Sequence, residues 1–277
     1  MTDPVAGASI TVERAWARLS QRLDRRDVPV STGFAQLDAA LCGGLRPGTL
    51  TMVAGCTGTG TTTLTLGIGI QTALAGQTGS SVVALDDHPD ELLIRAMCRH
   101  GKAPYDDVVR GEIDDAARFR LAEAGSDLAR AGLHVTASAS REASEVVDAV
   151  HAESERGAGL IVVDAVDPDE VDTLRALRRC AAATQSTIVV AARLPVAPWR
   201  NPVSDPYWIA DLGELGAAAS IVDVVILMSR PDRWEMDHPR SGEIDLRLAK
   251  NPLGPPAATV AAAQFRWGRI VDMARGY

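Results

Sequence analysis

The chain has 277 residues and a net charge of −8, which excludes a broad basic surface that coats nucleic acid but not a narrow basic channel inside an assembly. With 46% apolar residues it can build a sizeable core in one large domain or two small ones. No run approaches the roughly 18 apolar residues of a membrane-spanning helix, and the N-terminus lacks the basic-then-apolar pattern of a secretory signal.

In chain order, residues 11–26, "TVERAWARLSQRLDRR", carry Val12, Trp16, Leu19 and Leu23 at 4-3-4 spacing, one apolar stripe on a charged helix. Pro29 ends it. This helix is either packed on its own chain or an arm that docks on another subunit. Strands and helices then alternate. Residues 49–55 read as a short apolar strand running into a glycine loop, and 61–76 as a helix. A second strand is expected at 80–87 and a helix at 90–100. Further amphipathic helices are expected at 113–132 and 142–155, with a short strand at 133–138 between them. Residues 159–165 and 186–193 are β-branched runs of the buried-strand type, joined by a helix at 168–183. Residues 222–229 form another buried-type strand, and the tail reads as antiparallel strands. This alternation implies an α/β fold: a mainly parallel sheet flanked by helices, with a C-terminal antiparallel extension. Cys42, Cys56, Cys98 and Cys180 lie scattered without C-x-x-C spacing, as free thiols in a reducing cytoplasm do.

The stretch "GCTGTGTTTL", residues 55–64, matches the phosphate-binding pattern G-x-x-x-x-G-K-[ST] at Gly55, Gly60 and Thr62. Thr61 occupies the Lys position. Successive backbone N–H groups in such a loop form a nest for phosphate, and the helix N-terminus adds a favourable dipole. Gly58 and Gly60 permit the tight path, and Thr62 offers a hydroxyl to Mg²⁺. The alternative is an ordinary glycine turn between strand and helix. Asp164 ends an apolar strand, the place for a Mg²⁺-linked carboxylate of the Walker B type. Asp86 and Asp87 end the strand "VVALDD", where a carboxylate could orient a water against a γ-phosphate or, alternatively, cap the helix that follows. Three strand ends converging on one edge favour a ligand crevice.

The segment before the loop, "STGFAQLDAALCGGLRPGTLTMVAG", resembles the entry to the C-terminal motor domain of DnaB-type replicative helicases, within the RecA-like superfamily. The marks are Thr32-Gly33-Phe34, Leu37-Asp38, Gly43-Gly44-Leu45 and Pro47-Gly48. "DLGELGAAASIVDVVILMSRPD" and the tail from Arg240 follow that family's closing pattern. The resemblance spans roughly residues 30–275 and divides the chain into a linker-type helix, 1–29, and a RecA-like P-loop NTPase domain, 30–277. It implies ATP-driven 5′→3′ DNA unwinding in replication by a hexameric ring around single-stranded DNA, with ATP and Mg²⁺ as cofactors and residues 11–26 docking on a neighbouring subunit.

The family's functional positions carry over unevenly. Thr62 and Asp164 keep the metal roles. Asp86 falls where the family has its catalytic Glu, and its shorter side chain reaches less far. Arg193 stands where a strand-end Gln senses γ-phosphate. There it either supplies some of the charge lost at Thr61, or pairs with Asp164 or points to solvent. Lys250 keeps the basic position that a neighbouring subunit points into the site, while Pro252 replaces the accompanying arginine finger. Trp199 and Arg200, with Tyr207 and Trp208, occupy the second channel-facing loop, where they stack bases and touch phosphate or else pack the loop. Gly213 replaces an Arg near a segment associated with DNA contact. A hydrogen bond to a charged group contributes about 1.5–3 kcal/mol, so losing the loop Lys weakens ATP by about tenfold or more. A missing arginine finger costs roughly 10³–10⁵ in turnover. The expectation is weak nucleotide binding by the backbone nest with little or no hydrolysis. The alternative is an inactive ring-forming scaffold or regulatory subunit.

Overall fold

The computed structural model describes residues 11–25, 28–194, 216–233 and 237–273. An N-terminal helix, α1 (Val12–Arg25), is followed by the short α2 (Ala35–Ala40). The alternating part runs β1 (Leu50–Cys56), α3 (Thr61–Ala75), β2 (Gly79–Ala84), α4 (Pro89–Gly101), α5 (Tyr105–Arg110) and α6 (Asp115–Arg130). It continues with β3 (Leu133–Ala137), α7 (Ala143–Glu155), β4 (Ala158–Asp164), α8 (Val171–Thr184), β5 (Thr187–Leu194), α9 (Ala217–Ile221) and β6 (Val224–Ser229). The closing strands are β7 (Glu243–Lys250), β8 (Ala257–Gln264) and β9 (Arg269–Asp272).

These strands form one sheet in the order β3-β2-β4-β5-β1-β6-β7-β8-β9. From β3 to β6 every pairing is parallel; β7, β8 and β9 add antiparallel strands. The central parallel strands are buried on both faces, which is why they read as continuous apolar runs. Strand alternation feeds two cores. Ile161, Val163, Ile188 and Val190 face Val150 of α7 and Leu174 and Leu177 of α8. Leu160, Val162 and Val189 face Leu37 of α2, Ile68 of α3, Leu92 of α4 and Leu128 of α6. The α/β architecture expected from the sequence, a mainly parallel sheet flanked by helices with a C-terminal antiparallel extension, is the one observed.

The segment that carried the family resemblance is a structural clasp. Val30 and Leu45 exchange two backbone hydrogen bonds of 2.8 Å. Asp38 accepts from the Thr32 backbone N–H at 2.8 Å and from the Thr32 and Ser31 hydroxyls at 2.6 Å each. Phe34, Leu37, Leu41 and Leu45 are buried beneath it. Gly44 has φ +133°, and a Cβ there would lie 2.3 Å from the Val30 carbonyl oxygen.

Two differences from the sequence expectations matter, and one alternative left open there is narrowed. The second strand ends at Ala84, so Asp86 and Asp87 stand on the loop beyond it. Helices α2, α5 and α9 were not expected; at six, six and five residues each is too short to show a helical period. Val12, Trp16, Leu19 and Leu23 of α1 are all exposed, so the stripe is not packed on its own chain. Trp199, Arg200, Tyr207, Trp208 and Gly213 lie outside the described residues.

Gly44→Ala is expected to lower the unfolding free energy by about 2 kcal/mol or more, because a positive φ costs a non-glycine residue and the Val30 carbonyl must also move. Urea denaturation checks this; an unchanged midpoint would contradict the clasp.

Candidate nucleotide-binding site

The sheet order sets the site. The C-terminal ends of β2, β4, β5 and β1 lie side by side, so Asp86, Asp164, Arg193 and the glycine loop fall along one edge. Arg193 is in register with Gly55 across the β1–β5 pairing.

The loop after β1 turns through Gly58 at φ +83° and Gly60 at φ +95°. A Cβ at Gly58 would lie 2.7 Å from Arg233 Nε, and one at Gly60 would lie 2.8 Å from Phe265. Thr59 stiffens the turn through its backbone N–H and hydroxyl, which donate to the Cys56 carbonyl at 3.0 and 2.7 Å. The backbone N–H groups of Gly58, Gly60, Thr61 and Thr62 have no partner among the described residues. Thr61 opens α3 and is buried; its hydroxyl-bearing side chain brings no charge.

Thr62 Oγ1 donates to Asp164, 2.9 Å from Oδ1 and 3.2 Å from Oδ2. Asp164 is 3% exposed. Burial pushes its pKa up to about 6, the Thr62 bond opposes the rise, nearby Asp87 adds to it, and Arg95 and Arg193 oppose it. A hydroxyl and a buried carboxylate in contact form a donor set for a hard divalent cation.

Asp86 does not stand open to the loop. Arg193 pairs with one of its oxygens and Arg141 with the other. Arg193 thus neither pairs with Asp164 nor points freely to solvent. Arg141 also donates to the Ala165 carbonyl at 2.7 Å and pairs with Asp167 and Glu170. Ala165, directly after Asp164, has φ +68°, a strained value for alanine. Asp87 pairs with Arg95 at 3.1 Å, and Arg95 also holds Glu91 at 3.1 Å. Neither Asp86 nor Asp87 caps α4; His88 does, its side chain accepting from the Asp90 N–H. Lys250 donates to the carbonyls of Ala219 and Val222 at 2.8 and 2.6 Å. To reach a neighbouring subunit's loop it would have to release both.

Sequence reasoning missed the groups that cover the loop. Arg230 Nη1 donates to the Gly58 carbonyl at 3.3 Å, and Arg233 Nε to the Thr57 carbonyl at 3.4 Å. Arg230 also stacks on the Phe265 ring, 4.6 Å from its centroid, and pairs with Asp232 at 2.6 Å. They follow β6 or belong to the tail, so no local motif links them to the loop. Arg141, which precedes α7, was missed for the same reason.

The strand–glycine loop–helix unit, one strand removed from an acid-tipped strand in a sheet of this order, gives the molecule a RecA-like P-loop NTPase fold. Residues 29–267 match the family model of the DnaB-like helicase C terminal domain. The replicative DNA helicase DnaB of Mycobacterium intracellulare is 28% identical over 209 residues, covering 71% of this chain and 36% of the relative. That of Leifsonia xyli is 26% identical over 279 residues, covering 96% and 61%. The chain therefore spans about one third to three fifths of these relatives' length. Among solved structures, a DnaB-like replicative helicase superposes with a TM-score of 0.78 at 14% identity, covering 96% of this chain and 68% of that one. The RadB recombinase superposes with a TM-score of 0.55 at 19% identity, covering 88% and 99%. The chain belongs to the family of DnaB-like helicase C-terminal domains.

The raised pKa of Asp164 fixes the sign of a pH effect. The folded chain holds this proton more tightly than the unfolded chain. The cost of burying the charge is therefore present above about pH 6 and relieved as pH falls toward the ordinary carboxylate range. A metal ion needs the ionised form. Mg²⁺-dependent nucleotide affinity is expected to fall by up to about tenfold per pH unit below about pH 6, and Asp164→Asn to remove both the Mg²⁺ dependence and the slope. Titrations across this range would contradict the assignment if the wild-type affinity stayed flat.

Proposed function

We propose that the chain is a subunit of a DnaB-type ring whose inherited work is ATP-driven DNA unwinding in replication. On this reading its own site holds ATP and Mg²⁺ weakly and hydrolyses ATP little or not at all. The observation that carries the reading is the charge arrangement: the loop has no cation at Thr61, and the acid expected to act on water, Asp86, is held between Arg193 and Arg141. The donor set fits the cofactor, since free N–H groups line the loop and Thr62 lies against Asp164.

When bound, Mg²⁺ supplies the charge that offsets the polyphosphate. The N–H groups of Gly58, Gly60, Thr61 and Thr62 donate to phosphate oxygens, and the dipole of α3 adds to them. Thr62 Oγ1 and Asp164 would hold the cation. Thr61 adds no charge, so affinity falls short of a loop with lysine. Asp86 is shorter than the Glu of the family pattern, and both its oxygens face guanidinium groups. It is not placed to take a proton from water until Arg193 or Arg141 releases it. Lys250, bonded to its own chain, is a proposed contributor to a neighbour's site only after rearrangement. Contact with single-stranded DNA through Trp199 and Arg200 rests on the sequence alone.

A second reading, a ring-forming scaffold or regulatory subunit, is favoured by the exposed stripe of α1. Residues 1–29 then act as a linker that docks on the next subunit, and 30–277 as the domain that receives it. Burying Val12, Trp16, Leu19 and Leu23 stabilises such a contact by about 1.5–3 kcal/mol for each large side chain fully covered.

Phosphate release with and without single-stranded DNA, beside native mass of the full chain and of residues 29–277, tests both readings. Rates near the blank, an oligomeric full chain and a monomeric truncation are expected. DNA-stimulated turnover would contradict the impaired site, and an unchanged native mass on truncation would contradict the docking arm.

A further inference from the structure

A second pocket, of about 320 Å³, opens between residues 32–34, α3, α4 and β9. It contains none of residues 55–62. Arg99 from α4 and Arg269 from β9 both line it. Arg99 Nη1 donates to the Gly268 carbonyl at 3.1 Å. Its guanidinium lies against α3 where Gly67 leaves space: a Cβ there would sit 2.7 Å from Nη2. Neither arginine pairs with a carboxylate among the described residues. Burial, then repulsion from Arg269, pushes the pKa of Arg99 down to about 10. Asp272 lines the same pocket but accepts from the Ala35 N–H at 2.8 Å. Gln71 Nε2 donates to Ser31 at 3.3 Å and keeps a second N–H.

Two like charges in one partly buried pocket, neither paired among the described residues with its lining carboxylate Asp272, are unfavourable. Elsewhere along this edge arginines are paired: Arg95 with Asp87 and Glu91, Arg141 and Arg193 with Asp86. The Arg99–Arg269 pocket therefore calls for an anion from outside. It has room for an anion, and planar guanidinium groups with spare N–H donors match a tetrahedral oxyanion.

We propose that this pocket binds a small oxyanion of the phosphate or sulfate class between Arg99 and Arg269, with Gln71 as a further donor. The site is separate from the glycine loop and does not depend on nucleotide binding there. Free phosphate and the phosphate group of a monoester share this chemistry, so both are used as probes.

The test is thermal unfolding of the full chain against inorganic phosphate and a phosphate monoester, with chloride at matched ionic strength as the control. A saturable rise in Tm with at least one probe is expected, shifted to about tenfold higher concentration in Arg99→Gln and in Arg269→Gln. It should persist in Thr62→Ala, which disturbs the loop instead. Arg99→Gln also loses the bond to the Gly268 carbonyl, so the shift of each variant is read against its own Tm in anion-free buffer. If that variant fails to fold, the Arg269→Gln arm carries the test. No rise beyond chloride, an equal rise in both arginine variants, or a rise lost only in Thr62→Ala would overturn the proposal.

Discussion

The contact between Thr62 and Asp164 is the constraint on which the site depends. A carboxylate 3% exposed at the end of a central strand has no water to solvate its charge. Its one side-chain donor among the described residues is a hydroxyl from the first turn of α3. That arrangement is poor for an isolated anion and good for a metal ligand. It requires β1, the loop and α3 to be held against β4 with β5 between the strands, and the two-faced core supplies that rigidity. The clasp of residues 30–45 closes one end of the same core.

Around this pair the charged groups are largely paired with one another. The loop has no cation at Thr61, yet arginines crowd its surroundings. Arg230 and Arg233 bond to loop carbonyls from outside, and Arg193 and Arg141 hold Asp86. A guanidinium already paired with a carboxylate is a positioning group, not a free counter-charge for a phosphate. The proposed means of holding nucleotide are then the backbone nest and the Thr62–Asp164 pair, while Asp86 is occupied. On the proposed reading binding and turnover separate, because both oxygens of Asp86 are held in ion pairs while Thr62 and Asp164 stay in contact.

Much of this was legible in the sequence because it is local. The apolar runs ending in Gly55 and Asp164 marked two strands and two candidate site residues, and the candidate Thr62 follows from the loop pattern. The short helices α2, α5 and α9 were not legible, since five or six residues carry no period. Asp86 was legible as an acid near a strand end but not as a clamped one. Its partners lie 55 and 107 residues away, and no pattern within one segment connects them. Arg99 and Arg269 read separately as a helix residue and a tail residue; only the packing of β9 beside α3 and α4 brings them into one pocket.

The most direct test of the account is calorimetric titration of the full chain with ATP, with and without Mg²⁺, repeated on Thr61→Lys. Weak, saturable, Mg²⁺-dependent binding is predicted for the wild type, strengthened by about tenfold or more when the cation is restored. Absence of binding to both proteins, or wild-type binding indifferent to Mg²⁺, would contradict a nucleotide site built on the backbone nest and the Thr62–Asp164 pair.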